Sequence, residues 1–240
     1  VSEIDISRPH EWDHTHSDVS SGWLRASVFG AMDGLVSNIG LIAGIAAAGA
    51  HSSVVLLTGV SGLIAGAISM ALGEYTSVRT SNEQLVKELR TEQAAHQRNP
   101  VGEQAELASL FERLGMEHQT ACDAAEQVHA NSESAIKVHL SQELGLSVDD
   151  QPSPMVAAVS SFLSFSVGAL IPILPYLFGF GNLWLALVFG GAGLIVAGSL
   201  AAFTTGRNWF AGGLRQLTFG GVAVIATFTI GKLLGVETPM

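Results

Sequence analysis

Apolar and polar positions along this chain are sorted into blocks rather than mixed. A polar stretch over residues 1–22 precedes apolar runs at about 26–50 and 54–78. A charged block fills 79–151, and three further apolar runs follow at about 155–178, 182–205 and 213–235. A helix crosses the hydrocarbon core with about 20 apolar residues, and in lipid only helices or closed barrels satisfy every backbone group. The pattern predicts an all-α integral membrane protein with five transmembrane helices and a cytoplasmic helical domain inserted between spans two and three. Four regions follow: a His-containing acidic tail (1–25), a transmembrane hairpin (26–78), an acidic helical domain (79–151), and spans three to five (152–240).

The link between the first two runs is only His51-Ser-Ser, which forces an antiparallel hairpin. No Pro or Gly follows Glu74 until Pro100, so span two is expected to continue as helix to about Arg98. Further helices are expected at 101–114, 117–130 and 132–144, punctuated by Asn99-Pro100, Gly115 and Asn131 and stopped at Gly145. Pro172 and Pro175 should bend span three. Gly40-x-x-x-Gly44 and Gly62-x-x-x-Gly66 are small-residue signatures of close helix packing.

The 240 residues are 48% hydrophobic and only 13% charged, so the formal charge of −10 must lie outside the spans. Residues 79–151 carry six basic residues against thirteen acids, a net −7. Basic residues favour the cytoplasmic side. Arg8, Arg25, the six of the 79–151 block, Arg207 and Arg215 fall on one side, which places the N-terminus and that block in the cytoplasm and the C-terminus outside. The expected location is a bacterial plasma membrane. No cleavable leader is expected over 1–22, because that stretch has no apolar core. The single cysteine, Cys122, excludes an intrachain disulfide and reads as a small packed hydrophobe. The bilayer is the expected partner; nucleic acid is not.

Asp33 is the residue that most needs an explanation. A carboxylate well inside a span is expensive against lipid and is expected to face a bundle interior or an ion path. At 1.5 Å per residue, Asp33 lies about 12 Å from the cytoplasmic end of span one and Met70 about 13 Å from that of span two, so they share a depth. Glu74, four residues after Met70, lies on the same face nearer the mouth. Carboxylate with thioether suits a divalent transition ion better than sodium or calcium.

In the charged block, Glu88, Glu92 and His96 fall on one helix face, as do Glu103 with Glu106 and His139 with Glu143. Helical bundles build metal sites from such pairs, whereas a solvated acidic face is the plain alternative. His10, His14 and His16 with nearby acids form another possible, chain-entropy-limited metal cluster. The spans contain no histidine, which argues against an intramembrane enzyme. A transporter and a membrane-anchored metal sensor or buffer remain as the two functional classes.

Several stretches resemble the vacuolar iron transporter family: Trp23-Leu-Arg-Ala, Gly30-Ala-Met-Asp-Gly-Leu-Val-Ser-Asn, Ala65-Gly-Ala-Ile-Ser-Met-Ala-Leu-Gly-Glu-Tyr-Thr-Ser-Val, Glu143-Leu-Gly-Leu and Phe165-Ser-Val-Gly-Ala-Leu-Ile-Pro-Ile-Leu-Pro-Tyr. The resemblance implies a five-span homodimer that is not an enzyme. It would export ferrous iron and manganese from the cytoplasm in exchange for protons. No cofactor is implied beyond the transported and bound ions, Fe2+ or Mn2+, with Zn2+ in vitro. Asp33 and Met70 match the family's path ligands, and Glu74 its Gly-Glu-Tyr motif. Glu92, Glu103, Glu106 and Glu143 match acids of its cytoplasmic metal site. The chain departs from the family at Ala95, where a Glu is expected, at His139-Leu140, where a Met pair is expected, and at Met32, where many members have Asn. These departures bear on metal preference and ligand number.

Overall fold

The computed structural model describes residues 22–143, 145 and 151–235. Among them every regular element is helical, and five helices are long and apolar enough to span a membrane. They are α1 (Trp23–Ala47), α2 (Ser52–Arg98), a third span made of α6 (Pro154–Leu170), a 3-10 turn (Ile171–Ile173) and α7 (Leu174–Leu177), then α8 (Leu183–Thr204) and α9 (Trp209–Leu234). Between spans two and three lie α3 (Pro100–Arg113), α4 (His118–His129) and α5 (Ser132–Glu143).

Helix α1 begins three residues earlier than its apolar run suggests, at Trp23, because Gly22 takes a left-handed φ of 57° and turns the chain into it. Helix α9 likewise starts at Trp209 rather than 213, since Asn208 accepts from the backbone N–H of Phe210 at 2.9 Å and of Ala211 at 3.3 Å. The expected bend of span three is present as the 3-10 turn at Pro172.

The helix carrying Asp33 is the centre of the bundle: α1 packs against α2, α6, α8 and α9. Small residues permit this. A methyl on Gly34 would overlap the carbonyl oxygen of Phe165 and stand 2.9 Å from the amide nitrogen of Ala169, and one on Gly168 would overlap the carbonyl oxygen of Ala31. Buried Asn38 donates to the carbonyl oxygen of Ala169 at 2.6 Å and pins the same α1–α6 contact. In lipid, where apolar burial gives no drive between helices, close backbone approach and such hydrogen bonds hold the bundle together.

Helix α2 is a single 47-residue rod of about 70 Å, more than twice the hydrocarbon thickness, so roughly half of it must lie outside the membrane. Its buried residues Val55, Gly59, Ala67, Glu74, Val78 and Leu85 recur at four, seven and eight residues and make one stripe. The outer part carries the small helices α3 to α5, whose apolar centre is Leu107, Ala108 and Ala125 with Phe111, Cys122 and Val138 against it. Asn99 accepts from the N–H of Gly102 at 3.1 Å, starting α3 directly where α2 ends. The Asn82 amide donates to the carbonyl oxygen of Pro152 at 3.0 Å and ties the rod to the return segment.

Candidate functional site

Two groups of chemically active side chains stand out, one within the spans and one on the rod outside them. The first lines a cleft of about 460 Å³ between α1 and α2, walled by Asp33, Ser37, Ser69, Met70, Glu74 and Phe165. The three path residues expected from sequence are thus brought to one cavity. Ser37, one turn after Asp33, donates to its Oδ1 at 3.2 Å and is its one hydrogen-bond partner among the described residues. Met70 packs beside Phe165 and Ala67 with part of its side chain toward the cleft.

Glu74 is 8% exposed, and its Oε2 accepts from Arg25 Nη2 at 3.1 Å. Sequence reading did not pair these residues, which are 49 positions apart on two helices. The only available hint was that both lie at the same ends of adjacent antiparallel spans. Arg25 itself is largely exposed, so the bond closes the cleft mouth with a cation that water can reach. Chemically the cleft offers carboxylate, hydroxyl and thioether donors, a set suited to a borderline divalent ion shedding part of its water.

The second group gathers on the rod. Donor atoms of Glu92 on α2, Glu103 on α3 and His139 on α5 lie within 4.8 Å of one another. His139 is fully buried, and its Nδ1 stands 3.6 Å from Glu92 Oε1. Two more imidazoles adjoin them. The His129 ring, at the end of α4, lies 5.4 Å edge-on from His139 and 5.1 Å stacked from His96. His129 was missed by sequence reading, although Glu126 stands three residues before it on α4, a carboxylate–imidazole spacing like those of the other pairs. Burial pushes its imidazole below the ordinary histidine range, with His139 and His96 acting in the same direction and the bond to Ala125 opposing them.

Glu88 and Glu106 fall outside the three-residue group, Glu106 on an exposed position. The side chain of Glu143, and the tail residues His10, His14 and His16, lie outside the described residues. Cys122 packs beneath the α3–α4 contact, as a small apolar residue would.

The profile of the VIT family matches residues 24–232. Among curated relatives, the "Vacuolar iron transporter" of Acanthamoeba castellanii is 35% identical over 223 residues, covering 89% of this chain and 79% of its own length. "Vacuolar iron transporter 2" of Oryza sativa subsp. japonica is 28% identical, with 92% and 91% covered. "Vacuolar iron transporter 1" of Arabidopsis thaliana is 27% identical, with 92% and 90% covered.

Proposed function

The chain belongs to the VIT family and is an integral membrane metal-ion transporter, and on that premise we propose that it exports ferrous iron, and manganese with it, from the cytoplasm in exchange for protons. The observation that carries this reading is the shared cleft: an intramembrane carboxylate, Asp33, and a thioether, Met70, face one cavity in a bundle whose other spans are apolar. An ion captured by the acidic rod and its helices passes Glu74, is held by Asp33 and Met70, and leaves on the far side. A proton taken up on Asp33 then resets the site, since a neutral acid no longer holds the cation.

Arg25 near the start of α1, Arg207 in the link between α8 and α9 and Arg215 near the start of α9 lie, by the alternation of the spans, on the side toward which α2 runs past Arg79, which supports a cytoplasmic rod. The membrane proposed is a bacterial plasma membrane. A homodimer is part of the reading: on α2, exposed Gly73, Thr76, Ser77 and Thr80 continue the open side of the cleft, and lipid gives such a small, polar stripe nothing to bond. A second copy across a two-fold axis would close the cleft and double its ligands. The membrane-anchored buffer is disfavoured because it leaves Asp33 and buried Glu74 without a task.

The test is metal flux from proteoliposomes carrying wild type, Asp33→Asn or Met70→Ala. Both variants should fall to background while retaining the wild-type thermal unfolding profile. Undiminished flux in both would remove the path assignment and return the buffer reading.

A further inference from the structure

The acidic rod carries one basic face. A groove of about 830 Å³ runs along the outer half of α2, lined by Arg79, Glu83, Lys87, Arg90 and Arg98 and reaching Pro154 at the start of span three. Its cations are four of the six basic residues in a segment whose net charge is −7. At 3.6 residues per turn they fall within an arc of about 100°, opposite the side of α2 that carries Glu88, Glu92 and His96. Arg79 is held by Glu83 at 2.8 Å. Lys87, Arg90 and Arg98 are exposed and have no ion-pair partner among the described residues. Four cations against one carboxylate leave the groove at +3, a local field that attracts an anion.

Position decides which anion. The Asn82 amide donates to the carbonyl oxygen of Pro152, and span three begins two residues later at Pro154, so Asn82 marks the membrane edge. At 1.5 Å per residue, Arg90 stands about 12 Å and Arg98 about 24 Å beyond that level, whereas a headgroup layer is about 5–8 Å deep. Lipid phosphates therefore meet only the foot of the groove. A second copy of the rod across a two-fold axis would set cation against cation. The acidic N-terminal segment is within reach. Residues 1–21 carry five acids against Arg8 and join the bundle at Gly22. Gly22 lies against the foot of the groove, since a methyl on it would stand 3.5 Å from Pro152 Cβ. At about 3.3 Å per extended residue, Asp18 can reach about 13 Å from Gly22 and Asp13 about 30 Å, enough for Lys87 and Arg90 in the first case and Arg98 in the second.

We propose that the N-terminal segment docks in this groove, with Asp18 toward Lys87 and Arg90 and Asp13 toward Arg98, as an electrostatic latch between the start of span one and the rod. The latch does not depend on which ion the cleft carries.

The test is zero-length carbodiimide coupling of the full chain in detergent, which joins a carboxylate to an amine held in contact, read by peptide mass spectrometry. The chain has three lysines, so Lys87 reports on the groove while Lys137 and Lys232 report on other surfaces. At low salt, Lys87 of the wild type should couple to Asp13 or Asp18. The yield should fall about fivefold or more in about 1 M salt, where the Debye length is about 3 Å. Joint Arg90→Gln and Arg98→Gln, both on exposed positions, should lower it similarly with Lys87 intact. Absence of any link from Lys87 to residues 1–21 in the wild type overturns the proposal, without any variant having to fold. Links that survive both high salt and the glutamine substitutions overturn it too, because charge is then not what holds the segment. Coupling of Lys87 to Asp149 or Asp150 instead gives the groove to the return segment before span three. Loss of the links on transfer from phosphatidylcholine to phosphatidylglycerol nanodiscs gives it to lipid, and either result overturns the latch.

Discussion

Gly34→Ala tests whether close backbone approach, rather than apolar burial, organises the bundle around Asp33. The added methyl would overlap the carbonyl oxygen of Phe165 and stand 2.9 Å from the amide nitrogen of Ala169, where 3.4 Å or more is ordinary contact. Both obstacles are backbone, so no side chain can swing aside, and α1 must part from α6 by about 1 Å, an overpacking cost of about 1–3 kcal/mol. The Asn38–Ala169 hydrogen bond, at 2.6 Å, would stretch to the edge of bonding and lose about 1 kcal/mol more. Gly221→Ala on α9 is the control, because a methyl there meets nothing within 4 Å. The helix-propensity gain of Gly→Ala is common to both variants and cancels. Reversible unfolding in mixed micelles should therefore place Gly34→Ala about 2–4 kcal/mol below Gly221→Ala. Metal flux should fall too, since Asp33 adjoins Gly34 and Phe165 walls the cleft. Equal stability of the two variants would refute the argument that this glycine is set by the α1–α6 contact.

Arg25→Gln leaves buried Glu74 without its cation; because Arg25 is 67% exposed and its charge is screened, the loss should be about 1 kcal/mol, and a double-mutant cycle with Glu74→Gln should show the two effects to be non-additive. Strict additivity would show that the pair does not couple. An inward proton gradient should accelerate metal efflux from vesicles of known orientation, and indifference to the gradient would replace exchange by uniport. Joint Glu92→Gln and Glu103→Gln should slow transport at low metal concentration while leaving the saturated rate near wild type. The wild-type advantage should shrink as salt screens the field of the acidic rod, and a salt-independent advantage would mean that the acids act only by direct coordination.

Much of this architecture was legible in the one-dimensional pattern, because partition between water and lipid acts on each segment separately. Five apolar runs became five spans, the missing breaker between Glu74 and Pro100 became one rod, and Asp33 declared itself by being charged in the wrong solvent. Caps were less visible: Gly22 and Asn208 moved two helix starts by a few residues, since a cap is a property of one side chain and not of a period. What tertiary structure alone decided is which faces meet. Helical spacing put Glu88, Glu92 and His96 on one side of α2, yet only Glu92 and His96 reach the imidazole cluster, while Glu106 looks to solvent despite sharing a face with Glu103. His129, whose pairing with Glu126 on α4 drew no notice in the sequence, was brought beside His139 and His96 by the packing of α4 and α5 around Leu107 and Ala125. Arg25 with Glu74, and Asn38 with Ala169, join positions 49 and 131 residues apart. Periodicity fixes a residue's direction about its own helix axis, but convergence on a common point depends on how the helices dock, and that is set by small residues and buried hydrogen bonds far apart in the chain.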